Sequence, residues 1–158
     1  MGEERARYRR PLKFVPGVEK AVRTLPADVQ DVFGKALMAA QYGDQVSGAR
    51  PFGEGVPRDV LKLVEDDDGE TYRAAFVVAF AGVVYLLDVF QKKSKSGKET
   101  PRPDRDRVTA RYHAAVQDYA TNKATYLAAT AAAKDEATAN AAAVTLRSAP
   151  VQKRGKQN

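Results

Sequence analysis

The sequence predicts an α+β fold in which two N-terminal helices pack on an antiparallel sheet and a C-terminal helix completes the domain. Three observations predict it. Apolar residues recur at helical spacing between Val18 and Tyr42. Three segments, at 59–64, 71–80 and 83–90, are rich in β-branched and aromatic residues. Val108, Tyr112, Ala115 and Tyr119 then form a further helical stripe. The predicted order is β-αα-βββ-α, a sheet covered by helices. The compact domain spans residues 1–120, and 121–158 form an Ala-rich helical extension with a basic, disordered tail.

Residues 11–15, PLKFV, read as a short strand ended by Pro16-Gly17. Val18, Ala21, Val22 and Leu25 line one helix. Pro26 suits the first turn of a second, whose stripe continues through Val29, Val32, Phe33, Ala36 and Ala40. SGARPFGEGVP (47–57) is a Gly/Pro-rich loop. In DVLKLV (59–64), Leu61 and Leu63 face one way and Lys62 the other. EDDDGE (65–70) has the Asp-Gly chemistry of a hairpin and lacks the alternating spacing of a calcium loop. TYRAAFVVAF and VVYLLDVF suit central strands of an antiparallel meander joined at Ala81-Gly82. With helices on one face, the other face of the sheet is expected to stay open and to carry Lys62 and Arg73. Beyond residue 121 the alanines favour helix but offer few large groups to bury, which predicts weak docking or none.

The chain has no cysteine, which excludes disulfides, thiolate metal sites and cysteine nucleophiles. A single histidine, His113, argues against a histidine metal site and reads as a surface or packing residue. No cofactor is expected. There is no uncharged apolar run of about 18 residues, and MGEERARYRR lacks the apolar core of a secretory signal. The expectation is a soluble cytoplasmic protein with no membrane partner. The net charge of +6 is unevenly spread: residues 24–91 carry −6, whereas 92–111 carry +5. Such a basic cluster suits attraction to a phosphate backbone. Lys95, Lys98 and Arg102 within it, and Arg58 upstream, are candidate RNA contacts, with Tyr72 a candidate stacking residue. The N-terminal RARYRR suits either a nucleic-acid contact or a solvated arm.

Without cysteine, and with one histidine and no carboxylate pair, the groups left for catalysis are Lys, Arg and Tyr on a sheet. They suit cleavage of RNA by its own 2′-hydroxyl, where the substrate supplies the nucleophile and the protein aligns it and neutralises the developing charge. A lysine whose pKa is lowered by neighbouring cations could serve as the base.

The stretch GVVYLLDVFQKKSKSGKETPRPDRD resembles the signature of HigB-like toxins of the RelE superfamily. It is carried by Val84-Tyr85, by Phe90-Gln91-Lys92-Lys93-Ser94 and by Thr100-Pro101. Pro51 to Val56, DVLKLV and Tyr72-Arg73 fall where family members have matching elements, so the resemblance covers about residues 11–119. It implies a RelE-like fold, metal-independent cleavage of messenger RNA, often on the ribosome, and neutralisation by an antitoxin, usually of helix-turn-helix type. By the same resemblance, Arg73 would bind the scissile phosphate. Lys92 and Lys93 would stabilise charge and protonate the leaving group, and Lys62 would act as base or phosphate ligand.

Three features depart from that pattern. Many relatives carry histidine where this chain has Asp88; if that histidine contributes to chemistry or orientation, the resemblance implies weak or absent activity here. The carboxylate beside Lys92 would also oppose phosphate binding by roughly 1 kcal/mol. SGKE before Thr100 is longer than usual, and 121–158 have no counterpart. Two alternatives stand beside the nuclease: a ParE-like gyrase poison, and an inactive phage or prophage nucleic-acid-binding protein of the same fold.

Overall fold

The computed structural model describes residues 7–93 and 99–148. Its elements run β1 (Leu12–Phe14), α1 (Val18–Arg23), α2 (Ala27–Gln41), β2 (Arg50–Pro51), β3 (Leu61–Asp67), β4 (Glu70–Val77), β5 (Val84–Lys92) and α3 (Arg102–Ser148). The class is α+β, but the sheet is mixed. Its order is β1-β5-β4-β3-β2, with β1 parallel to β5 and the other neighbours antiparallel. The expected all-antiparallel sheet is corrected at this edge. Pro16-Gly17 sends the chain from β1 into α1 rather than into a hairpin, so β1 fills the free edge of β5 only after a long crossover.

Cross-strand partners share a face, so the register sorts the side chains. Leu63, Ala74, Phe76 and Leu86 form one apolar face, which packs with Val18, Val29, Phe33 and Leu37 of α1 and α2. Lys62, Arg73, Ala75, Val77, Tyr85, Asp88 and Phe90 occupy the other. Tyr85 and Asp88 are three apart, yet they share this face because Leu87 bulges between the pairs Ala75–Asp88 and Phe76–Leu86.

That second face is covered. α3 crosses it, pinned by Arg107 and Arg111 to Asp88 and by Asp118 to the Tyr85 hydroxyl. Phe80 sits among the rings of Tyr85, Tyr112 and Tyr119. The expected open face is therefore corrected: Lys62 is 8% exposed and Arg73 4%. A sheet apolar on both faces needs cover on both; α3 supplies it over β5, and the loop of Glu54 with Thr100 covers Lys62 and Arg73.

α3 is one continuous helix of 47 residues, so the boundary expected at residue 120 falls inside it. Its docking continues well past that point. Tyr126 donates to Asp118, and Thr130 Oγ1 donates to the Gly82 carbonyl at 2.8 Å. Gly82 has φ +86°, and a Cβ there would lie 2.9 Å from Leu127 Cδ2, so the turn before β5 needs glycine on both counts. Residues 141–147 are exposed, and the basic tail from residue 149 lies outside the described residues. Among the described residues, no helix is long and apolar enough to cross a membrane.

Candidate functional site

The strand register places four cations in a diagonal row on the α3-covered face. Arg50 of β2 stands opposite Lys62 of β3. Lys62 is opposite Ala75, and Arg73 lies two residues away along β4, making it the diagonal neighbour. Arg73 is opposite Phe90, and Lys92, opposite Thr71, is the next diagonal step. Consecutive members are thus about 5 Å apart where directly opposed and roughly 7–8 Å apart on the diagonal. Arg50, at the sheet edge, is exposed and Lys92 half-buried, while Lys62 and Arg73 lie beneath cover.

A carboxylate sits within this row. Glu54 Oε2 is 3.8 Å from Lys62 Nζ, whose ammonium also lies 5.4 Å from the Phe52 ring centroid. Glu54 itself adopts φ +57°, between Gly53 at +69° and Gly55 at +78°. A non-glycine residue in this left-handed region costs about 1–2 kcal/mol, which must be offset by what its side chain gains. The gains are visible. The Thr100 backbone N–H donates to Glu54 Oε1 at 2.6 Å and the Thr100 hydroxyl to Oε2 at 2.8 Å. Arg73 Nη1 in turn donates to that hydroxyl, and Arg105 Nη1 donates to the Glu54 carbonyl at 3.3 Å. Thr100, buried ahead of α3, thereby links the loop of Glu54 to the arginine of β4.

The electrostatics follow from this crowding. Burial lowers the Lys62 pKa; Glu54 opposes the shift, while Arg73, Arg50 and Lys92 reinforce it. Burial also lowers that of Arg73, partly compensated by Glu54. For Glu54, burial resists ionisation, but the two Thr100 hydrogen bonds and the charges of Lys62 and Arg73 outweigh it and hold the carboxyl below its ordinary value.

Asp88 has a different role from the one its sequence position suggested. It is 1% exposed and accepts from Arg107 Nε at 2.7 Å and Arg111 Nη1 at 2.6 Å. Burial pushes its carboxyl up, and the two guanidiniums oppose that push. Its charge is thus matched by α3, which corrects the expectation that it acts against Lys92.

Of the sequence-predicted residues, the register brings Lys62, Arg73 and Lys92 together. Lys93 follows β5 and is exposed. Arg58 is exposed on the loop leading into β3, and Arg102 is exposed on the first turn of α3, 3.7 Å from Asp106. Lys95 and Lys98 lie outside the described residues. Tyr72 is corrected: it neighbours Arg73 in sequence, so it points to the opposite face, where it is buried in the core and closed to a base. His113 is exposed beside Tyr112.

Sequence reasoning missed Glu54, Thr100 and Arg50 as site members. The readable signal was Gly53-Glu54-Gly55, a charged residue held between two glycines.

The family model described as Phage derived protein Gp49-like (DUF891) matches residues 20–113. That span runs from α1 into α3 and includes Arg50, Glu54, Lys62, Arg73, Asp88, Lys92 and Thr100. No curated protein matches the chain.

Proposed function

We propose, because the chain belongs to the Gp49-like family of phage-derived, toxin-like proteins, that it is a metal-independent endoribonuclease toxin acting on messenger RNA. The observation that carries this reading is the diagonal row Arg50, Lys62, Arg73, Lys92 with a carboxylate set into it. In the proposed reaction the 2′-hydroxyl oxygen attacks phosphorus and the P–O5′ bond breaks. A 2′,3′-cyclic phosphate and a 5′-hydroxyl result. One proton leaves the 2′-oxygen and one is delivered to O5′, so no external co-reactant is required. Arg73 and Lys62 supply positive charge where the phosphorane forms, in a partly water-excluded site that strengthens it. Lys92, and Lys93 beyond it, stand at the end of the row where the RNA strand would continue and the leaving oxygen would be protonated.

The finer assignments rest on the sequence resemblance: a RelE-like fold of the HigB-like branch, cytoplasmic action on ribosome-associated messages, and neutralisation by a helix-turn-helix antitoxin. A second reading is favoured by one observation. Arg73 and Lys62 are nearly buried beneath Thr100 and Glu54, as expected of an inactive nucleic-acid-binding descendant.

Tightly controlled expression of wild type and an Arg73→Ala, Lys92→Ala double mutant separates these readings when new RNA 5′ ends are mapped. The nuclease reading expects growth arrest with cuts in coding regions that vanish in the mutant. Arrest without new ends would overturn it and direct attention to gyrase. No arrest, with RNA binding retained, would favour the inactive descendant.

A further inference from the structure

We infer that Glu54 is the general base of the proposed cleavage, taking the 2′-hydroxyl proton, and that Thr100 is its positioning residue. This rests on the ribonuclease reading and deepens it. Of the carboxylates around the cation row, Asp88 is held by two guanidiniums at 2.6–2.7 Å and Asp104 by Arg107 at 2.7 Å. Both are committed to fixing α3. Glu54 and Asp66 are held instead by neutral donors. Asp66, bound by the Thr71 hydroxyl at 2.8 Å, is exposed beside the Lys92 end of the row. Glu54 is set into the row, with its cationic neighbour Lys62 at 3.8 Å, beyond direct hydrogen bonding. An ionised carboxylate has about four lone-pair sites. Thr100 uses two, which leaves acceptor capacity for a substrate hydroxyl. The Glu54 side chain is 18% exposed, so that capacity is reachable from solvent.

The backbone argues the same way. A residue that only stapled the loop could sit in ordinary φ/ψ, whereas Glu54 is kept left-handed between two glycines, which aims its side chain into the row. Lys62 is the competing base, since burial and the charges of Arg73, Arg50 and Lys92 lower its pKa against the opposing pull of Glu54. With Glu54 as the base, the Lys62 charge is instead needed on the phosphate, and the Lys62→Met variant separates the two. Thr100 acts through Glu54: its hydroxyl accepts from Arg73 and donates to Glu54, so phosphate ligand and base are fixed relative to one another.

The test is single-turnover cleavage of an in vitro messenger transcript, free and ribosome-loaded, by the full chain across pH 4–9. Wild type is compared with Glu54→Gln, Lys62→Met, Thr100→Val and Thr100→Ser. Binding is measured separately on a 2′-O-methyl RNA oligonucleotide, which cannot be cleaved by this route. Glu54→Gln is expected to lose roughly 100-fold or more in rate, the usual contribution of a positioned base, while binding the oligonucleotide as tightly or more tightly. Thr100→Val is expected to shift the acidic limb of the pH–rate profile to higher pH, since a hydrogen bond to the carboxylate is lost. Thr100→Ser is expected to restore it, and this pair remains decisive if Glu54→Gln fails to fold. Cleavage by Glu54→Gln within threefold of wild type, an unmoved limb in Thr100→Val, or loss of the limb only in Lys62→Met would each overturn the assignment. A wild type that cleaves neither form of the transcript would overturn the ribonuclease reading itself, and the base with it.

Discussion

Replacing Asp88 by Asn removes one charge from the most buried carboxylate among the described residues and leaves two guanidiniums facing it. Breaking a buried ion pair from one side costs about 3–5 kcal/mol, chiefly because the remaining charge is stranded. Here the cost is smaller for Arg107, whose side chain is 38% exposed and keeps Asp104 at 2.7 Å. It falls mainly on Arg111, which is 19% exposed and whose other hydrogen bond among the described residues is to the Leu87 carbonyl at 3.3 Å. The expected loss is therefore about 2–3 kcal/mol, or roughly 5–10 °C in Tm for a chain of this size. Thermal and urea unfolding followed by circular dichroism measures it. The exposed pair Glu19–Arg23, at 2.7 Å with side chains 67% and 75% exposed, provides the control, and Glu19→Gln should leave Tm unchanged. Adding Arg111→Met to Asp88→Asn should recover part of the loss, because the stranded charge is then gone. If Asp88→Asn is as mild as Glu19→Gln, Asp88 does not pin α3 to the second face of the sheet.

Other consequences follow from the same packing. Gly82→Ala combines positive φ with a 2.9 Å clash against Leu127 and should cost about 1–3 kcal/mol by chemical denaturation. Truncation after Asn140 removes only side chains that are exposed among the described residues and should leave Tm unchanged. Truncation before Tyr126 removes its bond to Asp118 and the Leu127 and Thr130 contacts on Gly82, and should lower Tm by several degrees. Glu54 and Asp118 both have folded pKa values below their ordinary ones, 4.5 and 3.8. For Asp118, burial opposes ionisation, and the Tyr126, Tyr85 and Asn122 hydrogen bonds outweigh it. Their contribution is therefore fully present above about pH 4.5 and is lost as pH falls through the lower folded values. Tm measured from pH 6 to pH 3 should fall in that window, and less steeply in Asp118→Asn.

What could be read from the sequence was whatever depends on local period. The β-branched runs gave β3, β4 and β5, and alternation placed Lys62 opposite Leu61 and Leu63. The same rule separates Tyr72 from Arg73, so the stacking role expected of Tyr72 conflicted with a signal already present. What could not be read depends on long-range register. The parallel seat of β1 needs the edge of a strand some 70 residues later in the chain. The diagonal of cations needs the pairing offsets of four strands. Glu54 acquires its role only from Thr100, 46 residues away. The covering of the second face by α3 left a faint local trace. Arg107 and Arg111 are one helical turn apart, a spacing that lets both reach a single buried carboxylate.

If the row from Arg50 to Lys92 holds an RNA backbone, the salt dependence of RNA binding must change when its outer members are removed. The affinity of the full chain for a single-stranded 2′-O-methyl RNA oligonucleotide should be measured between about 50 and 200 mM salt, for wild type and for Arg50→Gln and Lys92→Gln. These two members lie toward the accessible ends of the row, so their replacement leaves the buried pair Lys62 and Arg73 in place. Each phosphate contact on a single strand contributes about −0.7 to the slope of log affinity against log salt. Each substitution is expected to make the slope shallower by about 0.7, and the two effects are expected to add. Wild-type slopes retained in both variants would contradict this, because the RNA would then lie elsewhere on the molecule.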